Sequence, residues 1–217
     1  MKNIKKGIIF DLDGTLWDST KVLVKAWNEV LSQYPQTKVK VSLDNLKPLL
    51  GRPLEAIIEA LVVDVTDEDV RKQIADTCAK VEHEILSKEG GILYPMIEET
   101  LTLLSKKYKL YIVSNCQDGY IESFFAAHGL ESFFEDYECP GRSGLLKADN
   151  IRLIIERNNI DKAIYVGDTI MDYDAAKKAG IPFVHATYGF GQIEENVDKI
   201  NNFSELSKFL FEDLLFI

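Results

Sequence analysis

Two aspartates one residue apart, Asp11 and Asp13, follow directly on the short apolar run Gly7-Ile8-Ile9-Phe10. A run of this kind, closed by the turn signal Asp13-Gly14, predicts a buried parallel strand with both carboxylates at its carboxyl end. Open α/β sheets bind their ligands at that edge. Two carboxylates so close repel each other unless a cation or a proton intervenes. Asp and Gly also favour turns in their own right, so this pair alone fits a polar turn as well as a reactive site.

The remainder of the chain adds polar residues at equivalent places. Ser114 and Asn115 close the apolar stretch Leu110–Val113, and Asp168 follows Gly167 at the end of Ala163–Val166. Lys147 opens a predicted helix after the loop Pro140–Leu146, and Asp172 shares a helical face with Asp168. Four aspartates converging on one lysine need further positive charge. Mg²⁺ suits an all-oxygen site that combines carboxylates, waters and a substrate phosphate. No set of histidine and cysteine ligands accompanies the aspartates, which argues against zinc. A lysine, a hydroxyl and helix amino termini beside a cation make a phosphate cradle. A carboxylate can attack phosphorus to give an aspartyl-phosphate that water cleaves. A carboxylic acid two residues on can protonate the leaving oxygen and then activate that water. Taken singly, each residue also has a structural reading: Ser114 and Asp168 as caps, Lys147 as a surface lysine, Asp172 as a charge in a first helical turn.

The elements that must position these groups fall into two kinds. Residues 18–88 carry helical spacing with little strand-like alternation. Leu23, Trp27, Val30 and Tyr34 form one stripe, read as core or interface, that ends at Pro35. Ser42 caps a short helix bent by Pro48, and Pro53 opens the next helix, through Leu61. Thr66 and Asp69 resemble a capping box for a long helix with a buried stripe of Val70, Ile74, Cys78, Val81 and Ile85, closed by Gly90-Gly91. Beyond Tyr94-Pro95, predicted helices over 97–107, 120–128, 147–158, 171–179 and 205–215 alternate with strands near 110–113, 134–138, 163–166 and 183–185. Ser204 is placed to cap the last of these helices. Such alternation implies a parallel sheet with right-handed crossovers and helices on both faces. The expected fold is therefore α/β, a Rossmann-like parallel sheet core formed by residues 1–17 and 89–217, with residues 18–88 inserted as an all-helical cap.

Composition narrows the partners. A length of 217 residues suits one main domain carrying a smaller one, and 46% hydrophobic residues suffice for a core. The net charge of −10 argues against general affinity for nucleic acid or anionic membranes. It also requires a local device, a metal ion or a placed lysine, to attract an anionic substrate. No run approaches membrane-spanning length, and the amino terminus lacks the apolar core of a signal peptide. Cys78, Cys116 and Cys139, odd in number and far apart, read as reduced buried thiols. The expectation is a cytoplasmic protein, monomeric or homodimeric.

Asp11-Leu12-Asp13-Gly14-Thr15, Ser114-Asn115, Lys147 and Gly167-Asp168-Thr169-x-x-Asp172 stand in the order and rough spacing of four motifs. Together they resemble those of the haloacid dehalogenase superfamily, and within it the phosphoglycolate-phosphatase-like phosphatases with a helical cap. The resemblance implies that Asp11 is the nucleophile and a metal ligand. It makes Asp13 the general acid/base, lending its backbone carbonyl to Mg²⁺. Ser114 and Asn115 would bind phosphate, and Lys147 would neutralise Asp11 and the transferring group. Asp168 would bind Mg²⁺, and Asp172 would hold a metal-bound water or Lys147. The haloacid dehalogenases lack the second aspartate of the first motif, so Asp13 favours phosphoryl transfer over dehalogenation. Arg52, in a turn between cap helices, is the cap residue expected to touch substrate. The chain departs from the commonest pattern at Met96, where glycine is frequent, and at Ala148, where proline often follows the lysine. Gly189-x-Gly191 is too weak a pattern for a phosphate loop, Cys116 reads as a buried small residue, and His83, His128 and His185 carry no reading. The resulting expectation is a Mg²⁺-dependent phosphatase acting on a small phosphorylated metabolite, phosphoglycolate-like or a sugar phosphate. The same motifs would serve a sugar-phosphate mutase or a pyrophosphatase, and a non-catalytic phosphate-binding protein is the most distant alternative.

Overall fold

The structure, a computed structural model, describes residues 4–207. Its centre is β1 (Lys6–Phe10), flanked in parallel by β4 (Lys109–Val113) and β6 (Lys162–Gly167). With β5 (Phe134–Glu138), β7 (Phe183–Ala186) and β8 (Asp198–Ile200) they form a six-stranded parallel sheet of order β5-β4-β1-β6-β7-β8. Strands buried on both faces read as unbroken apolar runs rather than alternating ones, as β1, β4 and β6 do. Ile8 and Phe10 join the apolar cluster on one face, with α5 (Ile97–Leu104) and α6 (Tyr120–His128). Ile9, Tyr111 and Tyr165 join the other, with α8 (Lys147–Arg157) and α9 (Ile170–Ala179).

The register positions the site. Phe10 pairs with both Ile112 and Val166, and the ladder runs one step further as Asp11 N–H donates to Val166 O at 2.8 Å. Asp11, Ser114 and Asp168 therefore emerge from three adjacent strands at one edge.

Directly after the first loop, β2 (Trp17–Asp18) pairs antiparallel with β3 (Ile92–Leu93). Between these two short strands lie α1 (Thr20–Leu31), α2 (Leu43–Leu46), α3 (Leu54–Leu61) and α4 (Glu68–Glu89). The apolar cluster continues without a break from Ile8 and Phe10, through Trp17, to Leu23, Trp27, Ile58 and Cys78, so the cap is docked on the sheet layer. Ser42 caps α2 reciprocally with Asn45, and a 3₁₀ turn over Lys47–Leu49 follows at Pro48.

Several local expectations need correction. The cap of α4 is Asp67, not Thr66, because the Asp67 carboxylate accepts from both Asp69 N–H (2.9 Å) and Val70 N–H (3.2 Å). Its buried face is Ile74, Ala75, Cys78, Glu82 and Leu86, one step round from the apolar stripe, and Val70, Val81 and Ile85 are only partly buried. Pro53 stands just before α3 rather than inside it. α5 stops at Leu104, a short helix α7 (Pro140–Ser143) occupies the expected loop, and β8 had no strand signal. Ser204 donates to Asn202 Oδ1, and most of the helix expected over 205–215 lies outside the described residues.

Met96 has φ +63°, left-handed backbone immediately before α5. Such a conformation costs an L-residue about 1–2 kcal/mol, a cost glycine escapes. Met96 is 51% exposed and loses little packing on truncation. Met96→Gly should therefore raise the unfolding free energy by about 1 kcal/mol once the added backbone entropy of glycine is subtracted, read as a shift in urea midpoint.

Candidate active site

Lys147 begins α8 and is buried, although it is a lysine. Its Nζ donates to Asp11 Oδ1 at 2.8 Å and also to Asp172 Oδ1, and it lies 5.5 Å from the centre of the Tyr165 ring. Burial opposes its charge, but Asp11 and Asp172 outweigh burial and hold it above the usual lysine range. Asp172 is fixed from its own side. Its Oδ2 accepts from Thr169 N–H at 2.9 Å and from Thr169 Oγ1 at 2.7 Å, closing a capping box on α9. Both Asp172 oxygens thus have protein partners, one of them Lys147.

Asp168 directly follows β6 and is fully buried. Oδ2 accepts from Phe190 N–H at 2.6 Å, whereas Oδ1 is buried with no partner among the described residues. Burial, then the charges of Asp172 and Asp11, push its carboxyl well above the ordinary range. Oxygens of Asp11, Asp168 and Asp172 come within 4.8 Å of one another. A buried carboxylate oxygen without a donor, in an all-oxygen cluster carrying excess negative charge, fits a divalent cation. Backbone is packed hard against this corner. A Cβ on Gly189 would lie 2.3 Å from Asp168 Cβ, and one on Gly14 (φ +79°) would lie 2.1 Å from Asp168 Oδ2. The Gly189-Phe190-Gly191 loop, too weak a pattern to read, thereby holds an aspartate rather than a phosphate. His185, which carried no reading, sits with Nε2 3.2 Å from Asp168 O.

Asp13 lies beyond the strand end, partly buried beneath the cap. Ser19 Oγ and Tyr120 OH both donate to its Oδ1, the latter at 3.1 Å, and Tyr120 OH lies 3.0 Å from Ser19 Oγ. Burial raises Asp13 to about 7 against these two hydrogen bonds, which lower it, and Asp11 adds to the rise. Asp11 itself is raised to about 6 by burial and Asp172, opposed by Lys147 and by a hydrogen bond from Ser114. Two carboxyls near neutrality, one of them beside a lysine and one beside hydroxyls, are suited to act as a nucleophile and a proton donor side by side.

A cavity of about 40 Å³ between cap and sheet is lined by Asp11, Asp13, Ser114, Asn115, Arg52 and Glu82, with apolar walls from Leu23, Leu50 and Ile57. Ser114 is buried at the end of β4. The Asn115 amide donates to Gly51 O of the cap at 2.9 Å, so in this state it serves the cap rather than an open pocket. Arg52 is exposed at the cavity wall. The sequence reading missed Ser19, Tyr120, Glu82 and Phe190. Ser19 stands six residues after Asp13 at the opening of a helix and had a readable cap signal, whereas the other three reach the site from distant parts of the chain.

Residues 8–186 match the family model of haloacid dehalogenase-like hydrolases, and the chain belongs to that family. It is 27% identical over 216 residues to a phosphoglycolate phosphatase of Psychrobacter arcticus, covering 94% of this chain and 93% of that one. It is 28% identical over 207 residues to one of Aquifex aeolicus, covering 88% of each. Among solved structures, a predicted phosphatase from Clostridium acetobutylicum superposes with a TM-score of 0.78 at 26% identity, over 97% of this chain and 100% of that one. CbbY from Rhodobacter sphaeroides, in complex with phosphate, shares the fold with a TM-score of 0.79 at 19% identity, over 94% of this chain and 96% of that one. The chain is phosphoglycolate-phosphatase-like, an enzyme that hydrolyses phosphoric monoesters, with a carboxylate cluster suited to a divalent metal. Among the described residues no helix is long and apolar enough to cross a membrane.

The raised Asp13 sets a pH signature. In the metal-free protein the folded state binds the Asp13 proton more tightly than the unfolded state between about 4 and 7. Its contribution to stability is complete below the unfolded pKa and is lost as pH rises through about 7. Urea denaturation in EDTA should show the stability of Asp13→Asn rising relative to wild type across this window. A difference that does not change with pH would place the Asp13 pKa at its ordinary value.

Proposed function

We propose that the protein is a Mg²⁺-dependent phosphatase that hydrolyses a small phosphorylated metabolite through an aspartyl-phosphate on Asp11. The observation that carries this reading is the buried Asp11–Lys147–Asp172 bridge beside a second, separately held carboxyl at Asp13. Asp11 Oδ attacks phosphorus while Asp13, holding its proton, delivers it to the departing ester oxygen. Water then attacks the phosphorus of the acyl phosphate, Asp13 takes up a proton from that water, and inorganic phosphate leaves with Asp11 restored. Lys147 keeps the Asp11 carboxylate ionised and in line and faces the transferring oxygens, while Asp172 positions Lys147. Ser114 and the amide of Asn115, once released from Gly51, donate to the phosphate. Asp11, Asp168 and the Asp13 backbone carbonyl, within the cluster completed by Asp172, would hold Mg²⁺, which would supply the charge that lets an anionic nucleophile approach an anionic phosphate.

Residues 18–88 act as a cap that shields the reaction from bulk water. The cavity of about 40 Å³ has room for only a few waters, each of which needs about 10–15 Å³ on this measure. Substrate entry therefore requires the cap to move, with the β2–β3 ribbon at its root. Arg52 reads the leaving group from the cavity wall. The phosphoglycolate phosphatases among the relatives support a small phosphomonoester.

Phosphate release should be followed over a panel of phosphorylated metabolites, with and without Mg²⁺. Release should require Mg²⁺, and Asp11→Asn should lower kcat by about 1,000-fold or more while circular dichroism stays unchanged. Isomerisation of a hexose 1-phosphate without phosphate release would instead make the protein a mutase, and near wild-type turnover in Asp11→Asn would remove the nucleophile assignment. Hydrogen bonds to the ionised form of Asp13 lower its pKa, so Tyr120→Phe should move the alkaline limb of kcat/KM to higher pH.

A further inference from the structure

Two free thiols, Cys116 and Cys139, meet where the loops after β4 and β5 pack together. Val113 and Glu138, the last residues of those strands, pair in register, and Ser114 N–H donates to Glu138 O at 3.3 Å. Beyond them Gly141 N–H donates to Cys116 O at 3.1 Å, and the Cys139 thiol donates to Gln117 O at 3.7 Å. The two backbones are pressed so close that a Cβ on Gly141 would lie 2.4 Å from Gln117 Cα. The thiols also hydrogen-bond to each other. That bond holds Cys139 below the ordinary thiol value, while burial pushes Cys116 well above it. Cys78, the third cysteine, stands apart in α4. Cys116 lines both the cavity that contains Asp11 and a neighbouring one of about 170 Å³, whose wall includes Gln117, Pro140 and Gly141. A water takes about 10–15 Å³ of such a cavity, so an oxidant little larger than water fits beside the pair.

We propose that Cys116 and Cys139 are a modification site, closing to a reversible disulfide under peroxide and so drawing on the loop that carries Ser114 and Asn115. The Cys139 thiolate attacks one oxygen of hydrogen peroxide and the O–O bond breaks, leaving Cys139 as a sulfenic acid. The other oxygen departs as hydroxide, which takes up the proton that Cys139 had released. The Cys116 sulfur then attacks the sulfenic sulfur, and the S–S bond forms as the S–O bond breaks. The second hydroxide leaves with the Cys116 proton. Two thiols thus lose two electrons and two protons, and peroxide is reduced to two waters. A disulfide sets its sulfurs about 2.05 Å apart, closer than hydrogen-bonded thiols stand, so the two loops must shift. Asn115 and Gln117 flank Cys116 and donate to Gly51 and Glu82 of the cap, while Ser114 hydrogen-bonds to Asp11. The shift therefore reaches the phosphate-facing residues and the docking of the cap together.

The test exposes the reduced full chain to hydrogen peroxide and follows it by intact mass, by non-reducing peptide mapping and by Mg²⁺-dependent hydrolysis of p-nitrophenyl phosphate. Each chain should lose two hydrogens, the peptides holding Cys116 and Cys139 should be joined, and dithiothreitol should reverse both changes. Oxidation should lower kcat/KM by about tenfold or more, as displacement of positioning groups does, and dithiothreitol should restore it. Cys139→Ser should keep the rate of the reduced enzyme and lose the response to peroxide. If that variant does not fold, the wild-type peptide map decides. Added oxygen without a cross-link, a link to Cys78 or between chains, or unchanged kcat/KM in the cross-linked protein would overturn the proposal. Absence of turnover in the reduced protein would instead overturn the phosphatase reading, and the mass and peptide map would still decide whether the disulfide forms.

Discussion

One lysine stands among more buried negative charge than it can neutralise. Lys147 bridges Asp11 and Asp172, and Asp168 lies within the same cluster with an oxygen that no donor among the described residues reaches. Removing ions from water costs several kcal/mol each, and a buried pair recovers that only with excellent geometry and satisfied lone pairs. The surrounding structure is arranged to supply that geometry. The capping box of α9 fixes one face of Asp172, the Phe190 amide fixes Asp168, and Gly14 and Gly189 let backbone approach where a Cβ would collide. What remains unbalanced is concentrated at the edge where a divalent cation and an anionic substrate would meet.

The same loop that ends β4 joins this charged corner to the cap. Ser114 faces Asp11, while Asn115 donates to Gly51 and Gln117 to Glu82. Three residues within one short segment thus contact Asp11, a cap loop and a cap helix. Ser19, at the root of the cap, and Tyr120, at the start of α6, hold Asp13. Displacement of the cap therefore changes the hydrogen bonds of groups next to the reacting ones. Closure of the cap over a substrate would thereby be coupled to the proton inventory of the site without a separate signalling element.

The sheet edge was largely legible in the sequence because parallel strands buried on both faces leave unmistakable apolar runs, and polar residues at their ends stand out. Asp11, Ser114 and Asp168 stand out in this way, Lys147 by its place at a helix opening and Asp172 by sharing a helical face with Asp168, and the structure brings all five together. The cap was legible as helices but not as a surface. Apolarity alone put Val70, Val81 and Ile85 on the inner face of α4, whereas the packed face runs through Cys78, Glu82 and Leu86, and a glutamate reads as solvent-facing by default. The partners that make its burial tolerable, Trp27 and Gln117, lie 55 and 35 residues away. No local window contains them.

Met96 shows the same boundary from the other side. Its departure from glycine was visible as a letter in the sequence, but its meaning came only with φ +63° at the entrance to α5. The left-handed turn is imposed by the chain's return from the cap, where β3 must pair with β2 and α5 must cover the sheet. Side-chain chemistry at the ends of strands is set by local pattern, and backbone conformation at a domain junction is set by two bodies that must dock. A residue can therefore be strained at the junction while every neighbouring element follows its own local preference.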